Sequence, residues 1–222
     1  MKRIIALLAS LLIVKVTIGV VLNYGDYFPV SFRADFLLGR ASYFFGAYSW
    51  AFYAHIVTGP VTLLLGLLLV SEWFRRRWPR WHRRLGKLQI ALVTLVLAPS
   101  GAWMAWYAQS GAVAGAGFFA LAIATGASAL LGWSAAVRRD FAAHRRWMWR
   151  CFLLLCSAVT LRLVGGLAVV AKFDQGWIYP ATAWLSWLVP LAAFEVVEMV
   201  RGPERASRET QLSLGDSGVV VS

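Results

Sequence analysis

Six stretches of this chain, at about 4–23, 48–71, 85–107, 112–136, 150–171 and 178–200, are each apolar enough and long enough to cross a bilayer. A helical span needs roughly 20 such residues. None shows the period-two alternation of a strand, and only helices or closed barrels satisfy their own backbone inside lipid. The pattern predicts an all-α polytopic membrane bundle of six transmembrane helices within residues 1–201. Composition agrees, since 14% of the 222 residues are charged, against about 25% in soluble domains. After Val200 the sequence turns to RGPERASRETQLSLGDSGVVVS, too polar to bury a core, so residues 202–222 read as a disordered tail. The opening MKRIIALLASLLIVKVTIGV reads as an uncleaved first span rather than a secretory signal, because Lys15 interrupts the apolar run and no small-x-small site follows.

The formal net charge is +12, and its distribution says what it is for. Of the 22 basic residues, 17 fall in the N-terminal stub, between spans 2 and 3, between spans 4 and 5, or in the tail. Only Arg33, Arg40 and Lys172 lie on the opposite side, with Lys15 and Arg162 inside spans. Such a split is the positive-inside signature and predicts that both termini face the cytoplasm. The charge is thus a topological address rather than a nucleic-acid footprint. The partners it implies are membrane lipids, including anionic head groups at the inner face.

Residues 24–47 form one long outer loop, rich in aromatics and expected to lie along the membrane surface. Gly111 and Gly115, four apart in the fourth span, are expected to let helix backbones approach closely. Pro60 and Pro99 are expected to kink spans 2 and 3. Cys151 and Cys156, five apart on one helix, cannot bridge each other and read as buried thiols.

The tripeptide His-Arg-Arg occurs twice in a chain with three histidines. An offset of 62 residues places Arg76, Arg77, His82, Arg83 and Arg84 on Arg138, Arg139, His144, Arg145 and Arg146. Spans 2–3 and 4–5 would then be a duplicated four-helix core related by an axis along the membrane normal. That axis places His82 and His144 at one depth, facing each other near the inner leaflet.

The segments YAHIVTGPVTLLLG, WHRRLGKL and RRDFAAHRRWMWR followed by AVTLRL resemble the signature segments of an uncharacterised family of bacterial membrane proteins, catalogued as domain of unknown function 2306. The resemblance covers roughly residues 48–200. It implies a multi-pass fold in the bacterial cytoplasmic (inner) membrane and supplies no reaction.

Two groups of residues can carry chemistry. His82 and His144, with Arg83, Arg145 and Arg146, can either make hydrogen bonds and contact lipid phosphates, or hold a b-type haem, the imidazoles ligating iron and the arginines neutralising propionates. In the outer half, His55 lies roughly 10 Å along its span, with Gly59 one turn on as a notch beside the imidazole. Arg162 approaches the same level and Lys15 lies mid-span, so His55, Arg162 and Lys15 can line a pocket for an anionic or polar ligand. Glu195 sits roughly 10 Å from that level and is better placed to pair with the arginines around His144. Intramembrane charges of this kind usually face the bundle interior or a water-filled cavity. No phosphate-cradling glycine motif and no paired-cysteine zinc site is present, which argues against ATP-driven transport by this chain alone. Three functions follow as expectations: a bis-histidine haem electron carrier, a haem-free transporter or lipid- or anion-binding protein, and an accessory subunit without its own site.

Overall fold

The computed structural model of the protein describes residues 2–34, 36–108, 111–173 and 175–217, with the side chains of 2, 3, 175 and 201–217 excepted. The described chain is helical throughout its apolar segments. Its helices are α1 (Lys2–Leu22), α2 (Ala41–Phe44), α3 (Ala47–Val70), α4 (Glu72–Arg77), α5 (Pro79–Leu92), α6 (Ala98–Trp106), α7 (Gly111–Val137), α8 (Phe141–Leu155), α9 (Ser157–Val170) and α10 (Gln175–Ser217). Among the described residues, six helical segments are long and apolar enough to cross a membrane: Ile4–Asp26, Ala47–Val70, Pro79–Trp106, Gly111–Val137, Phe141–Val170 and Gly176–Val200. The fold is an all-α polytopic membrane bundle.

Spans 3 and 5 begin earlier than hydropathy alone suggests. Both His-Arg-Arg segments are wound into the opening turns of α5 and α8 rather than preceding them. Local chemistry accounts for this. Pro79 sits at the first helical position of α5, where its missing N–H costs nothing and its φ is already helical. Asp140 caps α8 by accepting the Ala143 N–H at 2.9 Å, satisfying one of the orphan donors at the helix start. At the other end of the chain, the α10 backbone continues as helix past residue 201 to Ser217; residues 218–222 lie outside the described residues.

The two prolines act differently. Pro60 lies inside α3, which stays a single helix. The carbonyl that Pro60 leaves without its N–H partner, that of Ile56, accepts from Tyr24 Oη at 2.8 Å, the kind of side-chain contact that satisfies intramembrane backbone. Ahead of Pro99, in contrast, the third span opens into a π-helical turn at Val93–Leu97, which divides it into α5 and α6.

Spans 2 to 5 pack as a four-membered ring. α3 meets α5, the π turn and α6 on one side and α8 on the other; α7 meets the same elements. α5 and α8 stand diagonally, with no pair of their Cα atoms within 8 Å. The centre is filled by Leu63, Val93, Leu97, Ala129, Phe152 and Val159, one or two from each span. α10 packs on α7, α8 and α9, and α1 on α3 and α9. Large apolar side chains such as Leu95 (74% exposed), Val170 (81%) and Trp106 (86%) point out of the bundle, a surface that lipid covers and water would not tolerate.

The small residues of α7 divide their roles. Gly115 lies so close to α6 that a Cβ would stand 2.9 Å from the Ala105 carbonyl oxygen. Gly111 has open space around it and a φ of +83°, so it serves the entry to the helix, not its packing. Gly115→Ala is expected to push α6 from α7 and to cost about 1–3 kcal/mol, whereas Gly126→Ala, 3.3 Å from the Ala98 methyl, costs less. Thermal unfolding in detergent separates the two.

The outer loop packs onto the protein. Leu37 and Phe44 bury against Tyr48 and Phe52 of α3, with Met104 and Tyr107 at the end of α6 closing the cluster. At its centre Arg40 is only 5% exposed. Its Nε donates to the Phe36 carbonyl at 2.6 Å, and its Nη1 to Tyr43 Oη at 3.2 Å, Tyr48 Oη at 3.0 Å and the Tyr107 carbonyl at 2.9 Å. The guanidinium also stacks 4.5 Å from the Phe36 ring centroid, a favourable place for a cation.

Candidate functional site

The two His-Arg-Arg segments arrive at one end of the ring, on the diagonal helices α5 and α8. His82 and His144 are each the fourth residue of their helix, and His144 is within electrostatic reach of His82. The histidines differ in their hydrogen bonding. His144 Nδ1 lies 2.8 Å from the Gly132 carbonyl; a carbonyl can only accept, so Nδ1 carries a proton, and the tautomer this selects has its lone pair on Nε2. That bond requires α7 and α8 to run close. A Cβ at Gly132 would meet the Met148 methyl, and would lie 3.3 Å from Trp147 Cβ. His82 Nδ1 is buried and has no hydrogen-bond partner among the described residues, with the Phe74 ring 6.5 Å from its own.

The arginines beside these histidines are placed less uniformly. Arg145 and Arg146 line a groove of about 600 Å³ between α8 and α10. Arg145 is also within electrostatic reach of Glu72 on α4. Arg83 lies exposed next to His82 and within its electrostatic reach. Glu72 itself is occupied by Arg76 at 2.6 Å. The hydrogen bond from Arg76 holds its carboxyl below the usual carboxylate range.

Glu195 does not join His55 and Arg162. It grips Arg150 of α8 through two hydrogen bonds, Nε to Oε1 at 2.6 Å and Nη2 to Oε2 at 2.8 Å. Trp147 lies 4.5 Å and Phe194 5.7 Å from the guanidinium carbon. The pair clamps α8 to α10. The arginine that Glu195 holds is Arg150, six residues beyond His144, not one of those flanking the histidine.

At the opposite end, His55 Nδ1 lies 3.3 Å from Ser100 Oγ on α6. Ser100 donates its own proton to the Leu97 carbonyl at 3.1 Å, leaving its oxygen to accept from the imidazole. The notch that receives the ring is Gly101, where a Cβ would stand 3.0 Å from His55 Cε1. Gly59 faces Leu97 instead, at 3.9 Å. Arg162 is exposed on α9, donates to the Ala158 carbonyl of its own helix at 3.1 Å, and is within electrostatic reach of His55, Tyr24 and Tyr179. Lys15 is exposed on α1 and is not among the charges that His55 senses.

Three functional candidates escape a reading by composition. Gly132 matters through its carbonyl, which no side-chain motif reveals. Arg150 resembles its neighbours in a basic run until α10 supplies its acid. Ser100 stands out only because Pro99 and Gly101 flank it. Among the described residues, no three His, Cys, Asp or Glu side chains converge as they would around a metal held by protein alone.

A family model described as "Predicted membrane protein (DUF2306)" matches residues 52–197. These residues include all three histidines, both His-Arg-Arg segments, Arg162 and Glu195. No curated protein and no solved structure matches the chain. The match spans most of the sequence and all of the four-span ring except the first turn of α3, so the chain belongs to the DUF2306 family of predicted membrane proteins.

Proposed function

We propose that the protein is a bis-histidine electron carrier of the bacterial inner membrane, in which His82 and His144 ligate the iron of one b-type haem at the cytoplasmic end of a duplicated four-helix core. The observation that carries this reading is the buried, partnerless Nδ1 of His82 beside a His144 oriented through Nδ1. A buried imidazole nitrogen without a partner is costly unless something supplies one. The donor set fits haem better than a protein-held ion. Two imidazoles come from diagonal helices and, among the described residues, no group of three His, Cys, Asp or Glu converges; His82 and His144 would hold the haem through its iron. When bound, haem supplies one-electron oxidation and reduction. The chain's own contributions are the fixed tautomer of His144, the apolar wall given by Phe74, and cationic side chains at the rim. Arg75 and Arg83 are within electrostatic reach of His82, whereas Arg145 and Arg146 line the groove between α8 and α10. The concentration of basic residues at this end supports its assignment to the cytoplasmic side.

The test is a visible spectrum of protein purified in mild detergent from haem-replete cells, oxidised and then dithionite-reduced. A Soret band that shifts on reduction is expected, and it should vanish in both His82→Ala and His144→Ala while persisting in His55→Ala. A colourless wild-type preparation overturns the reading.

A haem-free reading rests on one specific observation, the exposed Arg162 within span 5, held among the described residues by the Ala158 carbonyl of its own helix. An intramembrane cation with no acid among the described residues marks a place for an anionic ligand. On that reading Arg162 and His55, with Tyr24 and Tyr179 nearby, form a site in the outer half, and a colourless protein should show an anion response that Arg162→Gln abolishes.

A further inference from the structure

The groove between α8 and α10 is graded along its length. α8 and α10 run antiparallel, so Arg145 and Arg146 share one end with Glu198, while Leu153 and Pro190 line the other. Eight residues separate Arg145 from Leu153, a drop of about 12 Å toward the bundle midplane at 1.5 Å per residue. Trp149 lies between them and is 37% exposed, as expected of an indole at the level where lipid meets water.

Among the described residues, the ion pairs are Arg75 and Arg76 with Glu72, and Arg150 with Glu195. None of the described carboxylates lies within 4.0 Å of Arg145 or Arg146, so among these residues the charge of the basic end is uncompensated. The reason lies one turn deeper. Arg150 takes both oxygens of Glu195, so the acid on α10 that could have neutralised the pair is withheld. Glu198 remains, one carboxylate against two guanidiniums, and its charge also reaches Arg150.

We infer that this groove is a binding site for one anionic phospholipid, its phosphate held by Arg145 and Arg146 and the upper part of an acyl chain laid along Trp149, Leu153 and Pro190. A guanidinium presents paired donors in the geometry a phosphate accepts. The apolar half decides between a free phosphate and a lipid, because a small anion would use the arginines and leave that surface bare. Glu198 sets a further condition. It disfavours an extra negative charge close to α10 and leaves room for a head group with a neutral hydroxylated end, such as phosphatidylglycerol. The site depends on the arginines and the groove wall, not on the imidazole nitrogens of His82 and His144, so it stands whether or not haem is bound.

The experiment uses full-length, delipidated protein in a non-ionic detergent, followed by native mass spectrometry and thermal unfolding. Phosphatidylglycerol, phosphatidylcholine with the same chains, and glycerol 3-phosphate are added in turn. Retention of one phosphatidylglycerol with an upward shift in Tm is expected, with phosphatidylcholine at least tenfold weaker and glycerol 3-phosphate without effect. Arg145→Gln/Arg146→Gln should reduce the phosphatidylglycerol preference about tenfold or more, given the attraction of each basic side chain for an anionic surface. Ala193→Trp, which fills the groove beside Pro190 and leaves both arginines in place, should weaken phosphatidylglycerol as well and so guards against misfolding of the charge variant. Equal stabilisation by the two lipids overturns the proposal. So does a response to glycerol 3-phosphate that matches phosphatidylglycerol, which would mean a phosphate site without a lipid, or a preference that survives both variants.

Discussion

Glu195→Ala is expected to lower stability by about 3 kcal/mol, because it leaves the Arg150 guanidinium inside the membrane-spanning part of α8 without its acid. Both hydrogen bonds that link α8 to α10 at this level, at 2.6 and 2.8 Å, are lost together. The Trp147 and Phe194 rings still flank the cation, but a ring face replaces only part of a carboxylate. The magnitude comes from the stranded charge rather than from the pair itself. Removing both charges should therefore be far milder, and Arg150→Met/Glu195→Leu is expected within about 1 kcal/mol of the parent. Thermal unfolding in one detergent decides it: the single variant should unfold roughly 5–10 °C lower and the double near the parent. Equal losses in the two would show that the clamp acts through shape alone.

Arg40→Ala is the second large effect, about 4 kcal/mol, from a different cause. Arg40 has no acid beside it among the described residues and is held by two carbonyls and two tyrosine hydroxyls. Hydrogen bonds to a charged group are worth about 1.5–3 kcal/mol each, and those sharing one donor group do not add fully. Their loss also leaves acceptors in the core of the cap unsatisfied. Arg40→Lys keeps the charge but not the planar fork, and should recover less than half. Limited proteolysis reads the effect where it arises: residues 24–46 should be cut much faster in Arg40→Ala while the six spans stay protected. A loop cut at the parental rate would refute the lock.

Much of this architecture was legible before any coordinates. Apolar run lengths are set by bilayer thickness, so the six spans could be counted directly. Their boundaries were less visible at α5 and α8, because hydropathy treats Arg and His as loop residues even when Pro79 and Asp140 start a helix around them. The repeated tripeptide marked His82 and His144 as matching positions near the starts of two spans, and each is the fourth residue of its helix. The roles of Gly101 and Gly132 did not, since each depends on how near a neighbouring helix comes. Arg40 was the least readable. By sequence it is one of three basic residues on its side, and what makes it structural is a cluster of aromatic rings assembled from the loop, α3 and α6.

That cluster also dictates an order of assembly. Arg40 donates to the carbonyl of a residue 67 positions later in the chain, Tyr107 at the far end of the third span. The loop emerges with the first two spans, yet its anchor does not exist until the third has been made and has crossed. Throughout that interval the guanidinium has Phe36, Tyr43 and Tyr48 for acceptors but lacks the fourth. Tyr107 supplies the last acceptor, so the cap closes fully only once the third helix is in place.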